Sequence, residues 1–180
     1  MARRWLFFRR SRGGEVGVPR VSIQTEDFDL SREVTAVRDQ DLGVGAITSF
    51  VGTVRDRMGG AVADPAAAIR CLELEHYPGM TEAAIEAMID QAFARFDIRA
   101  ARVVHRVGPL GPGEQIVLVV VASAHRGESF KACEFLMDYL KTQAPFWKKE
   151  HTPQGAQWVD ARVSDDQALA RWGIVASNAG

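Results

Sequence analysis

Six apolar residues follow one another at positions 116–121, and this uninterrupted run predicts a short strand that is buried on both faces. Downstream, apolar residues recur at the i, i+3, i+4, i+7 spacing of an amphipathic helix. They are Cys133, Leu136, Met137 and Leu140. Because a proline disfavours helical geometry in the residue before it, Pro145 predicts that this helix ends near Thr142 or Gln143.

Further strands are predicted where β-branched residues cluster or where apolar and polar residues alternate. These segments are residues 21–23, 44–55, 69–77, 102–107 and 157–162. Gly52 lies inside the second segment and indicates a bulge or a close approach of another backbone. The glycines and prolines of residues 108–113 form a link short enough for its flanking strands to be antiparallel neighbours. Residues 56–68 contain Gly-Gly and Asp-Pro pairs and are predicted to form a mobile loop.

Helical spacing predicts three more helices around these strands. The first has Ser31 as its cap and continues to about residue 37, and the second covers residues 85–96 with Thr81 as its cap. The last begins at Ser164, with Gln167 completing a capping box, and continues to about residue 172. Since hairpin and crossover connections are mixed, the predicted class is α+β, a single domain with a mixed, mainly antiparallel sheet packed against helices.

Composition narrows the functional classes. A chain of 180 residues fits one domain. Its net charge of −1 argues against attraction to nucleic acids or membranes by the field of the whole protein. Any recognition of anions must therefore be local. No apolar run approaches the roughly 18 residues of a membrane span. Cys71 and Cys133 are far apart and predict two buried thiols in a reducing compartment, here the cytoplasm, rather than a disulfide or zinc site.

The first 20 residues differ from the rest, with six arginines and a single acidic residue. Serine is too sparse for a typical organellar transit peptide, so this basic segment is predicted to be a disordered extension. The folded domain is expected to cover residues 21–173, with residues 174–180 as a tail.

Charged side chains collect at both ends of the central helix. His125 and Arg126 follow the buried strand directly, whereas Lys141, Lys148 and Lys149 lie at the end of the helix and just beyond it. This arrangement is typical of an anion site. However, lysines also complement the dipole at helix C-termini, and Lys-Lys-Glu-His is equally typical of a solvated loop, so spacing alone leaves both interpretations open.

Five stretches, in this order, resemble the catalytic (large) subunit of molybdopterin synthase, the MoaE family. They are FVGTVRD at 50–56, LELEHYPGM at 72–80, HRVGPLGPGE at 105–114, SAHRGESF at 123–130 and MDYLKTQAPFWKKE at 137–150. The match covers about residues 21–172 and implies an α/β hammerhead-like fold. It also implies that molybdopterin is made from cyclic pyranopterin monophosphate by adding two sulfurs as a dithiolene.

The resemblance further implies particular partners. Sulfur is expected on the C-terminal Gly-Gly thiocarboxylate of a small ubiquitin-like subunit. Two large subunits are expected to form a homodimer with one small subunit at each end, a heterotetramer overall. Neither a metal nor a redox cofactor is implied, and neither nucleic acid nor membrane is an expected partner.

By position, the resemblance makes Lys141 and Lys148 the catalytic lysines. The positions it places at the substrate are Thr53, Val54, Arg55, His125, Arg126, Lys149, Glu150 and Arg162. These residue types suit the chemistry, because a guanidinium offers paired donors to phosphate. A lysine can hold a thiocarboxylate or act as acid, base or covalent partner, and these alternatives stay open. Lys141 is expected to be partly desolvated, and Lys149 is expected to point away from Lys148 towards solvent.

The other histidines are interpreted as structural, with His76 and His105 inside the fold and His151 in an exposed loop. Two competing functions remain. The first is a non-catalytic anion-binding module that uses Arg55 with the charged residues after the buried strand. The second is a structural interaction protein that docks through an exposed Phe146-Trp147 patch. An assay of sulfur transfer separates both from the synthase.

Overall fold

The computed structural model describes residues 18–56, 68–159 and 170–174. In chain order the elements are β1 Val21–Gln24, α1 Leu30–Arg38, β2 Ala46–Thr53, β3 Cys71–His76, α2 Met80–Arg95, β4 Ile98–Arg106, β5 Gly108–Leu110, β6 Gln115–Ser123, α3 Arg126–Gln143, β7 Phe146–Thr152 and β8 Gly155–Trp158. The basic segment up to residue 17, nearly all of the predicted loop, Arg162 and the start of the predicted last helix lie outside the described residues. The predicted domain limits stay a prediction.

The strands form two four-stranded sheets rather than one. The first sheet has the order β1-β4-β6-β2 and the second has the order β5-β3-β7-β8. β1 runs parallel to β4, and the other paired strands are antiparallel, including β4 and β6 across their short link. The predicted α+β class with mixed, mainly antiparallel pairing is therefore confirmed.

Helices cover both faces of the first sheet. On one face, Val119 and Val121 of β6 belong to a core that includes α2 and α3, among them the fully buried Phe135. On the other face, Leu118 and Val120 pack with Val37 of α1 and its neighbours. Alternate residues of β6 therefore enter opposite cores, which is why its sequence is continuously apolar. No helix in the described ranges is long and apolar enough to cross a membrane.

Two predicted helix caps are wrong. Asp29, not Ser31, caps α1, because its carboxylate accepts the backbone N–H of Arg32 at 3.0 Å. α2 begins after Gly79, whose positive φ of 81° suits a residue without a Cβ, and Thr81 is buried in the first turn. Several candidate caps stood close together in each case, and tertiary packing selected one of them. The bulge predicted at Gly52 is confirmed by a register shift at that position.

Candidate functional site

Helix α3 runs along the first sheet in the direction opposite to β6. Near its start, Ser129 lies 2.9 Å from Thr48 of β2, beside the C-terminal end of β6. Just past its end, the ring of Phe146 stacks on His105 of β4 with 3.9 Å between centroids, near the N-terminal end of β6. The nine residues of β6 separate these ends by about 27 Å at a strand rise of about 3.4 Å per residue. Charged residues therefore collect at two distant places.

We call the first place the arginine end, and it consists of His125 and Arg126. His125 is the N-cap of α3 in an extended conformation, and Arg126 is the first helical residue. Both side chains are exposed, and neither forms a hydrogen bond or ion pair with another described residue. Their backbone is held instead, because the hydroxyl of Ser123 donates to the His125 carbonyl at 2.6 Å and that of Ser129 donates to the Arg126 carbonyl at 2.9 Å.

We call the second place the lysine end, and it consists of Lys141, Lys148, Lys149 and Glu150. One of the two interpretations left open for its Lys-Lys-Glu-His segment was a solvated loop, and the structure contradicts it. The segment belongs to β7, which pairs antiparallel with β3 from the first half of the chain. A long-range partner thus converts a polar sequence into a regular strand.

Pairing with β3 sorts the charged residues of β7 onto two faces. Lys148 is opposite Leu74, and Glu150 is opposite Leu72. Both leucines are buried, so Lys148 and Glu150 share the inner face of the second sheet. Lys149 projects from the opposite face, since successive strand residues alternate. The expectation that the two lysines point differently is therefore confirmed.

Lys148 and Glu150 form an ion pair on the inner face. The Nζ of Lys148 lies 3.1 Å from Oε1 of Glu150, and the glutamate side chain is only 6% exposed, against 35% for the lysine. The second carboxylate oxygen, Oε2, is buried and has no hydrogen-bond partner among the described residues. A buried carboxylate is costly unless it is paired, so the contact with Lys148 offsets the cost of burying Glu150 and holds the lysine ammonium in place.

The outer face carries a different set of contacts. Lys149 is half-buried, with its Nζ 5.3 Å from the ring centroid of Trp158, in the range of a cation–π contact. The expectation that Lys149 points to solvent is therefore wrong, because its side chain packs on Trp158. His151 was interpreted as an exposed loop residue, which is also wrong, because its Nε2 lies 2.8 Å from a carboxylate oxygen of Glu73.

Lys141 occupies the last turn of α3. Its side chain is exposed in the single chain, so the expected partial desolvation is not found. Thr53, Val54 and Arg55 come at the end of β2, where Thr53 pairs with Gln115 at the start of β6. They therefore lie at the same end of the first sheet as the end of α3. Val54 is buried, while Thr53 and Arg55 are exposed.

One chain consequently does not bring all predicted substrate residues together. Arg55 is near the N-terminal end of β6, whereas His125 and Arg126 follow its C-terminal end. Arg162 lies outside the described residues. The sequence contains no signal for this separation, because it depends on how β2, β6 and α3 are paired and packed.

The two structural histidines flank Phe146. Nδ1 of His105 lies 2.8 Å from the carbonyl oxygen of Arg106, and burial lowers the pKa of His105 to about 4. His76 is opposite Phe146 in the β3–β7 ladder, and its Nδ1 is buried without a hydrogen-bond partner in the described ranges. Phe146 is therefore half-buried and packs between the two sheets. Of the predicted Phe146-Trp147 docking patch, only Trp147 is exposed.

Comparison with known proteins gives consistent matches. A sequence profile described as "MoaE protein" matches residues 23–143. A protein from Ralstonia nicotianae named molybdopterin synthase catalytic subunit is 57% identical over 162 residues, which cover 90% of this chain and 89% of the relative. The solved molybdopterin biosynthesis MoaE protein from Burkholderia ambifaria MC40-6 has a TM-score of 0.73 at 52% identity and covers 87% of this chain and 99% of that one.

A more distant solved structure shares the fold. It is a protein–protein complex of subunits 1 and 2 of molybdopterin-converting factor from Helicobacter pylori 26695. The matched chain has a TM-score of 0.64 at 19% identity, with 80% of this chain and 92% of that chain covered.

Proposed function

This chain belongs to the MoaE protein family, and we propose that it is the catalytic subunit of molybdopterin synthase. In this function it transfers two sulfurs to cyclic pyranopterin monophosphate and so forms the dithiolene of molybdopterin. The sulfur donor is the C-terminal thiocarboxylate of a small ubiquitin-like subunit. The named relatives and the chemistry of the two charged ends support this proposal.

The ion pair between Lys148 and Glu150 is the observation that carries the catalytic part. The pair holds an ammonium at a fixed position on the inner face of a sheet, beside the buried Leu72 and Leu74. The Glu150 carboxylate offsets part of the lysine's charge but fixes its position, so the ammonium can meet an incoming thiocarboxylate with little reorganisation. Lys141 at the end of α3 would complete the site as the second catalytic lysine.

The small subunit would deliver its tail to the lysine end. Its thiocarboxylate is an anion, and the lysine end offers the ammonium groups of Lys141 and Lys148, whereas that of Lys149 lies on the opposite face of β7. Arg55, exposed after β2, would add a guanidinium at the same end of the sheet. The relative from Helicobacter pylori was solved as a complex of two subunits, which supports a two-subunit enzyme here.

A homodimer would unite the two ends. Arg126 and Lys141 lie at opposite ends of α3, which is about 27 Å long for 18 residues at a rise of about 1.5 Å. A substrate as small as a pterin monophosphate cannot span this distance. A twofold dimer could place the arginine end of one protomer beside the lysine end of the other. The substrate phosphate would then be held by one protomer while sulfur is transferred on its partner.

Reconstitution from purified components tests the function. The chain is mixed with the thiocarboxylated small subunit and the pyranopterin monophosphate, and dithiolene product is followed in a single turnover. We expect product with the thiocarboxylate and none when the small subunit ends in an ordinary carboxylate. Substrate binding without product would favour the non-catalytic anion-binding module, and absence of both would favour the structural interaction protein.

Light scattering tests the assembly. We expect a homodimer at micromolar concentration that gains one small subunit at each end. A stable monomer, with and without the small subunit, would contradict this arrangement. Location in the cytoplasm stays a prediction.

A further inference from the structure

Two hydroxyl groups connect β2 to the first turn of α3. The Thr48 hydroxyl donates to the Ser129 hydroxyl at 2.9 Å, and the Ser129 hydroxyl donates to the carbonyl oxygen of Arg126 at 2.9 Å. Ser129 is fully buried, so it exchanges no hydrogen bonds with water. Each hydroxyl has one proton to donate, and both protons are used along this chain of bonds.

The same turn is held from a second side. Ser123 is also fully buried, and its hydroxyl donates to the carbonyl oxygen of His125. The backbone N–H of Gly45 donates to the Ser123 carbonyl at 3.0 Å. A Cβ on Gly45 would lie 2.4 Å from the carbonyl oxygen of Ala124, so only glycine permits this close approach. Gly45, directly before β2, therefore contacts the turn before α3, and Thr48 within β2 contacts the first turn of the helix.

The exposed side chains at the arginine end have no such support. Arg126 and His125 form no side-chain hydrogen bond or ion pair within the described part of the chain. The direction in which their Cα–Cβ bonds point is therefore set by backbone contacts. A small rotation of the first helical turn would displace a guanidinium several bonds away by a much larger distance.

We propose that Thr48 and Ser129 are positioning residues that aim Arg126 at the substrate phosphate. The inference rests on the proposed synthase function and assigns two residues that lie outside the charged set. Thr48 sets the orientation of the Ser129 hydroxyl, and Ser129 fixes the carbonyl of Arg126. A variant that lacks either hydroxyl still contains Arg126, but the first turn of α3 that carries this arginine can move.

Initial-rate kinetics with the thiocarboxylated small subunit supplied in excess, as the sulfur donor that each turnover consumes, tests this. Thr48→Val keeps the side-chain shape without the hydroxyl, and Thr48→Ser keeps the hydroxyl. We expect Thr48→Val and Ser129→Ala to raise KM for the pyranopterin monophosphate about 3- to 10-fold, the effect of one hydrogen bond. We expect kcat to stay within about twofold, since the lysine end is untouched. Thr48→Ser should restore the KM.

A matched control removes a comparable bond elsewhere on α3. Gln91 of α2 donates to the hydroxyl of Tyr139 at 3.1 Å, again joining α3 to a neighbouring element. Gln91→Met should leave KM unchanged. If Thr48→Val has the wild-type KM, or if Thr48→Ser is as impaired as Thr48→Val, the positioning role is wrong.

Arg126→Ala separates this inference from the proposed function. It should raise KM more than either hydroxyl variant, and adding Thr48→Val to it should cause no further increase. An unchanged KM for Arg126→Ala would overturn both the phosphate role of Arg126 and the positioning role. A raised KM for Arg126→Ala with an independent, additive effect of Thr48→Val would overturn the positioning role alone.

Discussion

The arginine end and the lysine end present positive charge in opposite ways. At the arginine end, exposed side chains that have no partner among the described residues project from a backbone that buried hydroxyls hold in place. At the lysine end, two of the side chains themselves are held, Lys148 by the buried carboxylate of Glu150 and Lys149 by the ring of Trp158. Under the proposed function the difference suits two tasks, because a phosphate can be bound by an arginine that has a fixed backbone and a free side chain, whereas sulfur transfer needs a cation at a defined position.

The largest effects should come from the lysines. Lys141→Ala should nearly abolish product formation, by about 10²- to 10⁴-fold, while the complex with the small subunit stays intact. Lys148→Ala should also reduce the rate severely, because it removes the ammonium that Glu150 holds. Lys149→Ala is the matched control on the opposite face and should be mild. Near wild-type turnover of Lys141→Ala in the single-turnover assay would remove Lys141 from the centre of the mechanism.

Mixed dimers test whether the two ends cooperate across protomers. Dimers are isolated with Lys141→Ala on one differently tagged chain and Arg126→Ala on the other. If the site is shared between protomers, one site carries both defects and the other carries none, so about half of the wild-type sites remain at subsaturating precursor.

The control places both substitutions on one chain of a dimer with a wild-type chain. In a shared site this arrangement damages both sites, and activity should be close to the background. A reversed result, with activity only when both substitutions share a chain, would mean that each chain holds a complete site.

Acidification should lower the free energy of unfolding through His105. The pKa of its imidazole is about 4 in the folded chain against an ordinary value of 6.5, since burial disfavours the charged form. Between these values the unfolded chain binds a proton that the folded chain does not. The free energy of unfolding is therefore highest above about pH 6.5. It falls by about 3 kcal/mol as the pH falls towards 4, because protonation of His105 favours the unfolded chain.

Urea unfolding between pH 7 and pH 4.5 measures this loss. His105→Gln supplies an N–H donor that does not titrate. The unfolding free energy of this variant should therefore fall less steeply on acidification than that of the wild type. His76 faces the same aromatic ring and is kept in both proteins. Parallel pH dependences would show that His105 is not the group responsible.

The smallest effect concerns the ion pair itself. Lys148→Ala should lower the free energy of unfolding by about 1–3 kcal/mol, because the buried Glu150 carboxylate loses its partner. Adding Glu150→Gln should recover part of this loss, since no buried charge remains. Lys149→Ala should cost less, at most about 1 kcal/mol for an exposed cation–π contact. Equal stability of Lys148→Ala and the wild type in urea would show that the pair is not formed in solution.

Local signals predicted most of the fold. β6 and α3 were found because the uninterrupted apolar run of the strand and the periodic apolar stripe of the helix are both visible in their own residues. The strand β7 was missed, because Lys-Lys-Glu-His has no apolar alternation and acquires its inner face only by pairing with β3. The caps of α1 and α2 were misassigned, since several acceptable residues stood together and tertiary contacts chose among them.

The candidate site was predicted in its residue types but not in its geometry. His125 and Arg126 could be placed together because they are adjacent in sequence and follow a clear strand. The opposite faces of Lys148 and Lys149 could be expected, whereas the ion pair of Lys148 with Glu150 required the strand to be known. Predicting the distance between Arg55 and Arg126 would have required knowing that β2 and β6 pair antiparallel, and no local sequence pattern indicates this pairing.

The short connection from α3 to β7 has a consequence for insertions and deletions. Only Ala144 and Pro145 separate the helix from Phe146, the first residue of the strand. The buried inner face of the second sheet strongly specifies the register of β7 on β3, so a residue lost or gained in this connection should not exchange Lys148 with Lys149. The change should instead be absorbed by the connection and the last turn of α3, where Lys141 lies. It should therefore move Lys141 relative to Lys148 while the ion pair of Lys148 with Glu150 stays in place.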